Sequence, residues 1–137
     1  MVYGGLLRLQ TPGHGAILDI TEGVARVVQT SQIDRGLVAV FATGSTAAIT
    51  TMEHEPGGIA DLRELLDRLI PVTGDYQHNL RNHDTNAHAH LRAAVIGPSE
   101  TIPVVDGRLA LGTWQQIVLL DFDDRPRSRS VTVNVIA

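Results

Sequence analysis

The sequence has no cysteine and no lysine. Without cysteine, disulfides, thiolate metal sites and thiol nucleophiles are excluded. Without lysine, neither a Schiff base nor a lysine-centred phosphate loop can operate, and every basic residue is an arginine. Aromatics are scarce at 4%, limited to Tyr3, Phe41, Tyr76, Trp114 and Phe122. A core of Leu, Ile, Val and Ala is thin for this size, so covering a sheet face by oligomerisation is expected. Fifteen acidic residues outnumber 11 basic ones and leave a charge of −4 without a basic stripe, which argues against a nucleic-acid partner. No apolar run nears the roughly 20 residues needed to span a bilayer. The opening Met-Val-Tyr-Gly-Gly-Leu-Leu-Arg has neither a charged leader nor a long apolar core. A cytoplasmic protein away from membranes is the expectation.

What is present is globular. The 137 residues are 43% apolar and 19% charged, enough for one domain over 1–137. Residues 5–10 read as a strand before a turn at Pro12–Gly15. Ile20, Val24, Val27 and Val28 form one helical face in the segment ending at Ser31, with Asp19 or Thr21 as its cap. Leu37–Phe41 reads as a buried strand and Thr46–Thr51 as a second, the two forming a hairpin. Over Ile59–Ile70, Leu62, Leu65, Leu66, Leu69 and Ile70 make a helical stripe that Pro71 stops. Residues 72–86 read as one long polar loop, of the kind that carries function. Asp106-Gly107 between Thr101–Val105 and Arg108–Leu111 signals a hairpin. Trp114–Phe122 and Val131–Ile136 read as a closing antiparallel pair. Strands outnumber helices and follow one another, which gives an α+β domain with a mostly antiparallel sheet.

Histidines cluster at His78, His83, His88 and His90, and imidazoles are metal ligands. In an extended segment His88 and His90 share a side; in a helix they lie about 200° apart and cannot share an ion. His78 would join from across the loop, and Glu53, Asp75 or Asp84 would complete or orient the shell. The alternative is a solvated loop whose histidines touch nothing. Thr43–Ala48 is either an anion-receiving turn or a polar hairpin. Trp114 beside Gln115 and Gln116 is either core or a platform for a ring. Asp121, Asp123 and Asp124 followed by Arg125, Arg127 and Arg129 read as a solvated hairpin tip or as a phosphate-binding set.

Several stretches together resemble the YjbQ (UPF0047) family, often labelled secondary thiamine-phosphate synthase, over nearly the whole chain. They are Gly44-Ser45-Thr46-Ala47-Ala48-Ile49-Thr50, Glu53, Tyr76-Gln77-His78, Asn86-Ala87-His88-Ala89-His90-Leu91-Arg92-Ala93, Gly97-Pro98-Ser99, Gly107 to Gln115, and Phe122-Asp123 with Pro126-Arg127. The resemblance implies antiparallel β-sandwich-like sheets with two main helices in an α+β fold, packed as a homotrimer about a threefold axis. It also implies a divalent metal held by histidines, zinc first, with nickel, cobalt or magnesium as alternatives. The implied reaction joins hydroxymethylpyrimidine diphosphate to thiazole phosphate, with the physiological reaction left open. One departure stands out: many members carry His-Thr-[Thr/Ser]-Ala where this chain has Gly44-Ser45-Thr46-Ala47. His88, two residues before the family-matching His90, then suggests a relocated metal site of His78, His88 and His90.

On that reading Arg92 and Arg127 neutralise phosphate charge, and Glu53 acts as acid or base. Thr46 and Ser99 donate hydrogen bonds, and Trp114 stacks on a pyrimidine with Gln115 beside it. The alternative is a non-catalytic trimer that binds a metal or a small anion.

Overall fold

The computed structural model describes residues 1–137. Alternation of exposed and covered side chains sets β1 (Val2–Thr11), longer than expected because Val2 to Gly4 continue the same period. Gly13, His14 and Gly15, all at positive φ, turn the chain into β2 (Ala16–Asp19), a short strand that the sequence reading missed. In α1 (Thr21–Ser31) Val24 and Val28 are buried. Neither expected cap fills that role: the N-cap position falls to Ile20, without a side-chain cap, while Asp19 Oδ1 accepts the Thr21 N–H at 2.9 Å and Thr21 Oγ1 accepts the Ile117 N–H. β3 (Gly36–Thr43) and β4 (Ala47–Met52) follow. Next comes α2 (Pro56–Leu69), whose first turn is held by Glu55 accepting from Gly57 N and Gly58 N. These two bonds keep the Glu55 carboxyl below its usual range.

The long polar loop expected over 72–86 contains a helix, α3 (Gln77–Asn82). Ala87–Ile96, which the sequence reading left unassigned, is α4. Alanine, leucine and arginine are strong helix formers, and the alternating histidines masked them. β5 (Ser99–Val105) and β6 (Arg108–Leu109) form the expected hairpin, with Asp106 and Gly107 both at positive φ, as a type I′ turn demands. β7 (Gln116–Asp121) and β8 (Arg127–Ile136) complete the chain. No helix is long and apolar enough to cross a membrane.

Two antiparallel sheets result, ordered β1-β8-β3-β5-β6 and β2-β7-β4. Two expected pairings fail for the same reason. β3 and β4 lie in different sheets, and so do β7 and β8. The turns that join them are not hairpin tips but crossings between the sheets, tied to one another where Thr46 of the first meets the buried Arg129–Asp121 pair at the second. β7 is buried along Ile117-Val118-Leu119-Leu120 because it is covered on both faces. Ile117 and Leu119 meet α1 and the inner face of the five-stranded sheet through Val38, Val40, Val131 and Val133. Val118 and Leu120 meet Ala89 and Ala93 of α4, Leu66 of α2, and Phe122. The fold is α+β with a sandwich of two sheets and a helical layer behind the smaller one; α1 and α2 are the longest of its four helices.

The apolar stripe of α2 is only half used. Leu66 is buried, but Leu65 and Leu69 are 46% and 68% exposed. The strand expected to be buried at Leu37–Phe41 is likewise covered on one face only. On its open face Val2, Ile136, Leu37 and Pro103 stand opposite one another across β1, β8, β3 and β5.

Candidate functional site

β4 and β7 run antiparallel from Ala47↔Asp121 to Met52↔Gln116. The expected site residues divide between the two ends, roughly 17 Å apart at about 3.3 Å per residue. Glu53, Trp114 and Gln115 lie at one end. Thr46, Arg127 and the histidines of α4 lie at the other. Ser99 sits apart from both, exposed at the start of β5 opposite Phe41.

At the second end the charged residues between β7 and β8 turn inward. Arg129 holds Asp121 through two bonds, Nε to Oδ2 and Nη2 to Oδ1, each 2.8 Å. Its Nη2 also donates to Thr46 Oγ1 at 2.7 Å, and Thr11 Oγ1 donates to the same Asp121. Strands of both sheets are thereby tied to one guanidinium. Burial opposes the Asp121 charge, but the Arg129 and Thr11 bonds outweigh it and hold the carboxyl below its usual range. Asp123 is also buried and still held low, by the Asp124 N–H, Asn86, Thr46 and Arg127. The bond to Asp121 raises Arg129 in turn. Thr46 is 4% exposed, and Arg127 donates Nη1 to Asp123 at 2.7 Å. Thr46 is thereby committed to closing the crossing between sheets, and Arg127 helps to close it with a side chain that stays 34% exposed.

Because α4 is a helix, His88 and His90 leave it about 200° apart. His88 points inward at 3% exposure, and its Nδ1 has no hydrogen-bond partner. Burial and then the Arg92 charge keep His88 below the usual imidazole range, against the pull of Asp124, Asp123 and the Phe122 carbonyl. Arg92, one turn on, is 5% exposed. It donates Nε to the Ile70 carbonyl at 3.0 Å and Nη2 to Asp67 at 3.1 Å, and stands 5.8 Å from the Phe122 ring centre. Leu66 of α2 packs into the same cluster as Ala89 and Ala93, three residues before this arginine and one after it.

His90 faces the other way and meets His78, ring centres 4.6 Å apart. The two border a cleft of about 410 Å³ with Tyr76, Ala87 and Leu91. A second depression beyond His90 is edged by Gly44, Ser45 and Pro98. Asn86 Oδ1 accepts from His78 Nε2 at 3.0 Å, and Asn82 Nδ2 donates to His78 Nδ1 at 3.3 Å. In that tautomer neither nitrogen of His78 keeps a lone pair for a metal. The triad of His78, His88 and His90 is therefore not formed, and no group of three His, Asp or Glu side chains is placed to hold an ion. Relocation to His88 fails for a further reason: Gly44 shares its depression with His90, whereas His88 opens to the opposite side of α4.

At the far end Trp114 is 73% exposed, the most exposed aromatic of the chain. It precedes β7 instead of opening it, as the sequence reading had placed it. Gln115 braces its loop, accepting from Gly112 N at 3.1 Å and donating to Thr51 Oγ1 at 3.0 Å. Glu53 stands exposed just beyond β4. His54, which the sequence reading did not consider for a site, donates Nε2 to the Ile17 carbonyl at 3.0 Å.

The family model described as UPF0047 protein YjbQ-like matches residues 6–137. A UPF0047 protein of Methanothermobacter thermautotrophicus is 40% identical over 98% of this chain and 92% of its own. One from Archaeoglobus fulgidus is 41% identical over 95% and 98%. A crystal structure from Sulfolobus solfataricus, a YbjQ-like protein of unknown function, superposes with a TM-score of 0.93 at 36% identity, covering 98% of this chain and 96% of that one. The structure of a hypothetical protein from Aeropyrum pernix gives 0.90 at 37% identity, covering 98% of each.

Proposed function

The chain belongs to the UPF0047 YjbQ-like family, and from that premise we propose a homotrimeric enzyme that acts on a small phosphorylated molecule. Its reaction is of the thiamine-phosphate-synthase type, the joining of hydroxymethylpyrimidine diphosphate to thiazole phosphate. The observation that carries this reading is the braced, 73% exposed indole of Trp114. An aromatic ring left open on a loop fixed by Gln115 is a platform for a planar heterocycle, worth about 1–3 kcal/mol of stacking. Glu53 lies at the same end and supplies a carboxylate for proton transfer.

Assembly is the second half of the reading. The open apolar row of Val2, Ile136, Leu37 and Pro103, with Phe41 at 44% exposure, is a face that a further copy would cover. Such packing brings surfaces of neighbouring copies to one another, so the Trp114 end and the His78–His90 end need not act within one chain. Purified protein incubated with the pyrimidine diphosphate and the thiazole phosphate should form thiamine phosphate, and Trp114→Ala should lose most of that turnover. Absence of product from a folded trimer overturns the enzymatic half.

A non-catalytic trimer that binds a small anion is the second reading, favoured by the saturation of His78 between Asn82 and Asn86. A ring so held keeps one orientation at the edge of the cleft. Anion binding without turnover is its signature.

A further inference from the structure

We propose that the cleft between α2 and α4, on the side of α4 away from His90, binds a protonated phosphoryl oxyanion: hydrogen phosphate or the end of a phosphomonoester. The cavity measures about 180 Å³, the space of about six waters at roughly 30 Å³ each. That admits a phosphoryl group and a few further atoms. The proposal does not rest on the Trp114 reading, and its test measures binding, not turnover.

Two guanidiniums line the cleft with part of their donor capacity unspent. Arg63 of α2 uses Nε and Nη2 on the Gly15 carbonyl, at 3.4 and 3.3 Å. Arg92 of α4 uses Nε and Nη2 on Ile70 and Asp67. The Nη1 of each is left for an acceptor. Guanidiniums are suited to anionic oxygens by planarity and fixed charge.

Between them lies His88. A neutral imidazole carries one N–H and one lone pair. The chain makes no hydrogen bond to the His88 ring, which lines the cleft. A buried polar atom left in that state is costly, and Nδ1 is the one buried side-chain atom of the chain without a partner. Asp124 lines the same cleft and is a second acceptor. A ligand that satisfies the site must therefore accept from two arginines and donate a hydroxyl hydrogen. Hydrogen phosphate does both, and so does a phosphomonoester in its singly ionised form, populated below a second pKa of about 6. Sulfate, fully ionised, accepts only, and it would set an oxygen lone pair against Asp124 and His88.

The test is calorimetric titration of the full chain at fixed ionic strength and about pH 6, where phosphomonoesters keep a hydroxyl, with inorganic phosphate, glycerol phosphate and sulfate. Phosphate should bind at least tenfold more tightly than sulfate. Glycerol phosphate tighter than inorganic phosphate identifies an ester as the occupant, and the reverse order identifies the free ion; both keep the proposal. His88→Phe should lose at least tenfold in phosphate affinity. Arg63→Gln, at an exposed position, should lose as much with an unchanged melting temperature, which keeps the test open if His88→Phe does not fold. Equal affinity for sulfate, no heat with phosphate, or unaltered phosphate binding in Arg63→Gln overturns the proposal and leaves an adventitious ion only.

Discussion

His88 and His90, two residues apart on α4, serve opposite sides of the helix: one is buried in the cleft lined by Arg92 and Phe122, the other meets the His78 ring at a tilt of 56°. Metal content should therefore be indifferent to His88. After dialysis against a weak chelator, His88→Ala and the control His83→Ala should carry the same metal per subunit as the parent, with circular dichroism confirming the fold. Selective loss of metal in His88→Ala would contradict the separation of the two rings.

Arg129–Asp121 is the most deeply buried ion pair of the chain. Both residues are buried, so Asp121→Asn leaves a guanidinium without its charge partner. Breaking one side of such a pair destabilises by about 3–5 kcal/mol, and denaturant midpoints will show it. Arg129→Met, which empties the other side, should cost a comparable amount.

Acid should act through the same carboxylates. Asp121 and Asp123 are held below their ordinary 3.8 in the folded chain. The unfolded chain thus takes up protons first as pH falls. The stabilisation is complete above the ordinary carboxylate range and is lost as pH drops through the lower folded values. Urea midpoints at about pH 7 and about pH 3 should differ in the parent and differ less in Asp121→Asn. An identical fall in both proteins would place the acid response elsewhere.

Much of the fold was legible because period and turn chemistry agreed. The α1 stripe, the α2 stripe and the Asp106-Gly107 hairpin are local signals, and each formed where expected. What escaped the sequence was long-range. Nothing local tells β7 that its neighbours are β2 and β4 and not β8, since a strand buried on both faces reads the same in either sheet. The alternating Asp and Arg of residues 121–129 look like a solvated tip until the crossing between sheets buries them. The histidine site was lost for one reason: period-2 spacing at His88 and His90 suits a strand, and α4 is a helix. Trp114 was found, but its exposure was not, because sequence alone does not separate a core indole from a platform.

Assembly gives the next prediction. Sedimentation equilibrium should yield about three times the 14.8 kDa chain mass. Phe41→Glu places a carboxylate on the open face of β3, where burying it unpaired is unfavourable, and should shift the protein to monomer while far-ultraviolet dichroism is retained. A monomeric parent at micromolar concentration would remove the basis for any site shared between copies.

Gly44 supplies the last prediction, because it stands where many relatives are expected to carry a histidine. Its φ of +138 lies in territory that side chains avoid, at about 1–3 kcal/mol. A Cβ placed there would stand 2.8 Å from Arg129 Nη1, too close unless the guanidinium moves. That guanidinium is pinned by Asp121 and Thr46, so relief is not cheap. Gly44→His should therefore lower the melting temperature, and Gly44→Ala should lower it almost as far, since the strain begins at Cβ. Any gain of metal in Gly44→His would have to come from the depression it shares with His90, and should persist when His88 is also replaced by alanine. Should Gly44→Ala melt with the parent while Gly44→His does not, the obstacle is the imidazole and not the backbone, and the hold of Arg129 on this turn is looser than its contacts indicate.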